Sequence, residues 1–409
     1  MIDFKNLAGL VMARLEELGQ ISQSPAYLDR RYLSEQHRQA NRLVANWMND
    51  AGMTTWQDAA GNLWGRYECD NPDAPRFILG SHLDTVPNGG KYDGMLGVIA
   101  PITLIQILQG LRKKLPFHLD IVGFGDEEGT RFGSTLLGSR ALTGQWPESW
   151  VKLKDENGIS LPEAMSQFGL NFDEVHRADI TSSRVLGYLE LHIEQGPVLE
   201  DANLPVGIVT AIAGARRFNI DIKGMAGHAG TVPMTMRQDA LAASSEMILC
   251  VEKLAAMHKV VATVGKIENR PNGVNVISGN TRFTLDIRSE NDQQRDAVLD
   301  QILQQCQTIA ARRNVEMTIE QTHSAEAVHC DSRLQAILHT AISECGIPPF
   351  SLPSGAGHDA MAMAVICPVA MMFLRCDKGI SHHPAEAIIK DDVAVAMAAL
   401  HATINHLAN

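Results

Sequence analysis

The sequence predicts an α/β fold carrying an inserted α+β domain, and three observations predict it. Two short apolar runs, Phe77–Leu79 and Ile121–Gly125, read as strands buried on both faces. An apolar helical stretch at about 96–111 lies between them, giving the strand–helix–strand rhythm of a parallel sheet. From Ala213 the order becomes β-α-β-β-α-β, the ferredoxin-like arrangement, after which the α/β pattern resumes. The predicted division is one domain over 1–212 and 327–409, and an inserted domain over 213–326. A chain of 409 residues suits two cores better than one.

The chain opens with an amphipathic helix at about 4–19 (Leu7, Leu10, Val11, Leu15, Leu18). A second runs over about 34–51, with Ser34 as N-cap and Gly52 as its stop. Strands are expected at 54–57, 63–67 and 76–80. Residues 145–185 are polar and loop-rich with one helix at 161–168, and 186–196 is again a strand. In the insert, strands at 217–223, 260–266, 281–288 and 315–321 alternate with helices at 238–258 and 292–313. A helix at 334–345, an apolar strand at 370–376 and a helix at 391–407 complete the chain. No solenoid-period repeat or low-complexity segment occurs.

Hydrophobic residues make up 45% and charged residues 20%, a folded chain's balance. A net charge of −12 argues against nucleic acid or an anionic membrane as partner, but not against a small anion met by local arginines. The seven cysteines are scattered and form no C-x-x-C, as expected of reduced thiols in a cytoplasmic protein. Met1–Lys5 lacks a basic-then-apolar export signal, and no stretch reaches the ~18 apolar residues of a membrane span.

The chemistry gathers at predicted strand ends. His82 and Asp84 share a face of an extended strand, and Asp93 follows in a Gly-rich turn. The histidine offers a nitrogen, Asp84 can hold its ring, and Asp93 can divide its oxygens between two ions. Asp126-Glu127-Glu128 leaves the next buried strand, so one glutamate can bind a metal while the other faces a water as base. His192 lies in an apolar strand, where a lone histidine is more often a packed core residue than a ligand, a reading that the other strand-end candidates displace. His382 and His383 follow the last apolar strand, and Ser354–Ala360 is a Gly-rich turn with a His-Asp pair. Taken together, His82, Asp93, Glu128, His192 and His382 are what two divalent ions require if one carboxylate bridges them.

GSHLDTVPNGGKYDG, DEEGTRFG, ELHIEQGPVLE, GHAGTVPM, RPNGVNVISG, DIRS, SGAGHDA and GISHHPAE, in order from Gly80 to Glu386, resemble the M20-type amidohydrolases of the hydantoinase/carbamoylase group. The resemblance implies a metallopeptidase-like catalytic domain, its mixed sheet flanked by helices, and an inserted ferredoxin-like lid that also dimerises. It implies one metal on His82, Asp93 and His192 and another on Asp93, Glu128 and His382. Manganese or zinc are the first expectation, with cobalt and nickel compatible. Glu127 is the implied base and Asp84 the partner of His82. Substrate contacts fall on Gln195, His228, Asn275 and Arg288, with Arg216 a further carboxylate anchor. In a homodimer, His228 and Asn275 would complete the partner subunit's site. His383 stands where relatives often have Asn.

The implied reaction is hydrolysis of the terminal C–N bond of a ureido carboxylic acid, allantoate first, releasing ammonia and carbon dioxide. Paired Arg216-Arg217 suits such a polar, carboxylated ligand. The alternative is an N-carbamoyl-L-amino acid hydrolase, and a more distant one an M20-type aminopeptidase or deacylase.

Overall fold

The computed structural model describes residues 2–409. The chain divides into two compact units, one formed by 1–210, 330–352 and 356–409, the other by 211–329 with 353–355.

The first unit is built on a mixed sheet. Its strands run Thr54–Gln57, Leu63–Tyr67, His118–Phe124, Arg76–His82, Val185–Ile193, Val369–Leu374 and Val206–Ile212 in spatial order. The central four pair in parallel, and the flanking pairings are antiparallel. Every residue of His118–Phe124 and Val369–Leu374 is buried, which accounts for the apolar runs Ile121–Phe124 and Val369–Leu374; the buried Asp120 is paired with Arg66 at 2.7 Å. The apolar helix Met95–Gly110 covers one face; Phe4–Leu18 packs on it and on Lys390–Ala408, which in turn packs on Ser332–Glu344. Asp3 and Ser34 cap the first two helices by accepting from Asn6 N (3.1 Å) and His37 N (3.0 Å).

The second unit is an antiparallel sheet in the order Ile267–Arg270, Asn280–Ser289, Gly214–Lys223 and Glu316–Ala325. Helices Ala240–His258 and Asp292–Arg312 share its core with Phe218, Ile220, Ile222, Phe283, Leu285 and Ile287. Alternation turns Arg217, Asp286 and Arg288 to the other face. The single strand expected at 260–266 is instead two, Val261–Thr263 and Ile267–Arg270. Thr263 faces Asp286 and Ile267 faces Phe283, so four steps on one strand oppose three on the other and the surplus residue bulges out.

Among the described residues, the elements that the sequence pattern does not predict include the helices Leu137–Leu142 and Val198–Asp201, the strands Val206–Ile212 and Ser351–Ser354, and the two-residue strands Gly227–His228, Val276–Ile277 and Val328–His329.

Candidate metal centre

Parallel strands point their carboxyl ends to one edge, and the crevice there is where open α/β sheets bind ligands. His82 is the last residue of its strand, and the loop after Phe124 carries Glu127 and Glu128. His192 is the last residue but one of the neighbouring strand, and the segment after Leu374 carries Ser381, His382 and Glu386. Sequence positions 82 to 382 thus meet at one edge of one sheet.

Asp93 is the hub. Its Oδ1 lies 3.0 Å from His192 Nε2 and 3.5 Å from His82 Nε2, while its Oδ2 lies 3.2 Å from His382 Nε2. His382 Nε2 is in turn 3.5 Å from Glu128 Oε1. Two ligand groups result, His82–Asp93–His192 and Asp93–Glu128–His382, with Asp93 common to both. Gly94 makes this approach practicable. It sits at φ +78°, and a Cβ there would lie 2.4 Å from the His82 ring.

In two rings the second nitrogen is held by a carbonyl. His82 Nδ1 lies 3.0 Å from the carbonyl of Asp84, and His192 Nδ1 lies 2.8 Å from that of Ile193. A carbonyl only accepts, so both Nδ1 atoms donate, and each Nε2 faces the Asp93 carboxylate either as the lone pair of a neutral ring or as the second N–H of an imidazolium. In both forms a cation, proton or metal ion, lies between Nε2 and the carboxylate oxygen. In keeping with this, His192 Nε2 and Glu128 Oε1 are buried without a hydrogen-bond partner.

Crowded carboxylates point the same way. Burial, then the proximity of Asp93, pushes Glu128 up to about 7, although His82 and His382 oppose this. Burial together with Glu128, Asp359 and Asp84 raises Glu127 well above the usual range, against the pull of His82. Two divalent cations would reverse that balance, so the residues fit them.

The Asp84 side chain does more than face a ring. Its carboxylate is 3.5 Å from His82 Nδ1, but Oδ1 accepts from Glu127 N and Oδ2 from Glu128 N, both at 3.1 Å. It therefore aims the loop that carries both glutamates. Asp126, Gln195 and His382 all adopt left-handed backbone (φ 62°, 58° and 55°), strain concentrated around the centre. Gln195 donates from Nε2 to Asp93 Oδ2 at 2.9 Å and to Ser381 Oγ at 3.1 Å. His383 stays outside, accepting at Nδ1 from Ala385 N.

The other predicted residues lie in the second unit. His228 and Asn275 are neighbours on paired short strands: His228 faces Val276, and Ala229 N donates to the Asn275 carbonyl at 2.9 Å. Arg288 grips Asp286 side-on through Nε (2.8 Å) and Nη2 (3.0 Å), and Nη1 donates to the Gly355 carbonyl. It lines a cavity of about 540 Å³ with Arg217, Thr263, Thr284, Asp286 and Thr322. Arg216 does not stand free. It pairs with Glu326 at 2.7 Å and Asp296 at 3.4 Å, and Arg217 pairs with Asp286 at 2.7 Å. Arg216 and Arg217, like Arg288, are thus each engaged in ion pairs within the unit.

Three residues at the centre went unassigned from sequence. Glu190 lies on the strand two positions before His192, hence on the same face, and accepts from Ser81 Oγ at 2.7 Å. His358 stacks edge-on to His192 with ring centroids 4.5 Å apart. Glu386 holds the loop of Asp93. Strand parity could have found Glu190; Glu386 gave no signal beyond its nearness to His382.

The fold and this convergent centre define a hydrolase of the α/β class with its ligand set at the carboxyl edge of the sheet. The chain belongs to peptidase family M20/M25/M40, whose profile matches residues 78–406, and within it to the amidohydrolases. An N-carbamoyl-L-amino acid amidohydrolase of Geobacillus stearothermophilus is 43% identical over 397 residues, 97% of both chains. An allantoate deiminase of Arabidopsis thaliana is 39% identical over 417 residues, 94% of this chain and 79% of the plant protein. The crystal structure of a hydantoinase/carbamoylase family amidase from Burkholderia multivorans superposes with a TM-score of 0.93 at 29% identity, covering 98% of each chain.

Proposed function

We propose that this amidohydrolase cleaves the terminal C–N bond of a ureido carboxylate, with allantoate the first substrate and N-carbamoyl-L-amino acids the second reading. The division of Asp93 between two ligand groups, with Glu127 beside them, carries the proposal. His82, Asp93 and His192 would hold one divalent ion and Asp93, Glu128 and His382 the other, manganese or zinc first. Such ions polarise a carbonyl and make water nucleophilic near neutral pH.

Glu127 takes a proton from the attacking water and returns it to the leaving nitrogen. Water oxygen bonds to the ureido carbon, the terminal C–N bond breaks, ammonia leaves, and the carbamate sheds carbon dioxide. Gln195 orients the substrate. The second unit serves as lid and dimerisation domain, and His228 and Asn275 serve the site of a second copy, His228 donating to the oxyanion. Arg288 takes the substrate carboxylate on the guanidinium edge that Asp286 leaves open.

Ammonia release by manganese-loaded protein on allantoate, several N-carbamoyl-L-amino acids and a dipeptide tests this. Turnover of allantoate above the others is expected. Faster turnover of carbamoyl amino acids would select the second reading, and dipeptide cleavage without ammonia from any ureido compound would overturn both.

A further inference from the structure

Glu386 joins the two loops that bring Asp93 and His382 together. Its carboxylate is buried, and Oε1 accepts from both Tyr92 N (2.9 Å) and Asp93 N (3.1 Å) across nearly 300 residues of chain. Its Oε2 lies 3.2 Å from Ser381 Oγ, which is also 3.1 Å from Asp93 Oδ2. The serine has one proton, and Gln195 Nε2 already donates to its oxygen. Glu386 and Asp93 therefore compete for the Ser381 hydroxyl. At the other end, Glu386 N donates to the His383 carbonyl at 3.0 Å, closing the turn that begins beside His382. Gly90 leaves room for this carboxylate, since a Cβ there would lie 2.2 Å from it.

A buried carboxylate with two backbone donors on one loop and a hydroxyl on the other fixes the distance between those loops. We infer that Glu386 is a positioning residue for the ion shared by Asp93, Glu128 and His382, holding Asp93 and His382 in register. This rests on the two-ion reading above. The group His82–Asp93–His192 depends on it less, because its histidines are seated by carbonyls remote from Glu386, His82 by Asp84 just past its strand and His192 by Ile193 within its own.

The chemistry separates two substitutions. Glu386→Gln keeps an oxygen for Tyr92 N and Asp93 N, and its amide donates to Ser381 Oγ, turning the serine proton to Asp93. Glu386→Ala removes both ties. The experiment is calorimetric titration of the metal-free full chain with Mn²⁺ and with Co²⁺, with the visible Co²⁺ spectrum followed in parallel.

Wild type is expected to take two equivalents. Glu386→Ala should keep the first within about 3-fold and lose ~10–100-fold in affinity for the second, the range for partners that orient metal ligands. Glu386→Gln should restore both. Two unchanged equivalents in Glu386→Ala, or equal weakening of both, would overturn the inference. So would a Gln variant as impaired as Ala. No metal uptake by wild type would instead overturn the two-ion reading itself.

Discussion

Asp84 binds the backbone N–H of Glu127 with one carboxylate oxygen and that of Glu128 with the other, each at 3.1 Å. A residue on one strand-end loop thus sets the direction of two glutamates on the next. Asp84→Ala is expected to lower kcat by roughly 10–100-fold, and Asp84→Asn, which keeps one acceptor, by less. Steady-state kinetics on the preferred ureido substrate checks the order; an Ala variant equal to wild type would dismiss the clamp.

Glu127 is assigned no metal, so its loss should separate chemistry from binding. Glu127→Gln is expected to retain both metal equivalents while kcat falls ~10²–10⁴-fold, the usual contribution of a positioned base. Metal analysis beside single-turnover kinetics reads both quantities. Near-normal turnover would remove Glu127 from its role.

Gly94 cannot accept a side chain without moving His82. Gly94→Ala adds a Cβ 2.4 Å from the ring at a φ of +78°, so both strain and steric conflict act. Metal affinity should fall at least ~10-fold and the melting temperature should drop. Equilibrium dialysis against Mn²⁺ and a thermal scan test this, and unchanged affinity would refute it.

His37 gives the first unit a pH dependence separate from the metals. Its Nδ1 accepts from Leu33 N at 3.1 Å and its ring stacks on Phe168, so protonation would set two hydrogens against each other. Burial, helped by Arg30, Arg38 and Arg131 and opposed by Asp84, lowers it to about 4. In the unfolded chain it titrates near ~6.5. Between these values the unfolded state binds the proton more tightly, so stability falls as pH drops through that window, by up to about 3 kcal/mol. Urea unfolding with EDTA present, at pH 7.5 and 4.5, should show a smaller acid loss in His37→Gln than in wild type. Identical losses would count against it.

Local pattern made much of this legible. Strands such as Val369–Leu374 are unbroken apolar runs because both faces are covered, and their ends mark where polar residues must gather. The ligand candidates could be read because His and carboxylate at a strand end have few other uses. What escaped was set by partners distant in sequence. The ion pairs of Arg216 are of this kind: Asp296 and Glu326 lie 80 and 110 residues away, and nothing local announces them. Glu386 was hidden likewise: its bonds reach back to Tyr92 and Asp93. The strand at 260–266 failed because a one-residue surplus against Asn280–Ser289 is a matter of register, not composition.

Strand Val369–Leu374 lies in the middle of the first unit's sheet, between Val185–Ile193 and Val206–Ile212. During synthesis that slot stays vacant until Val369–Leu374 has left the ribosome, whereas the inserted 211–329 stretch has every strand of its sheet before then. The order of maturation is therefore expected to be inverted relative to the order of translation, the insert condensing first and the unit begun earliest waiting for that central strand. Nascent chains halted before Val369 should resist protease within the insert and be cut freely on either side of it.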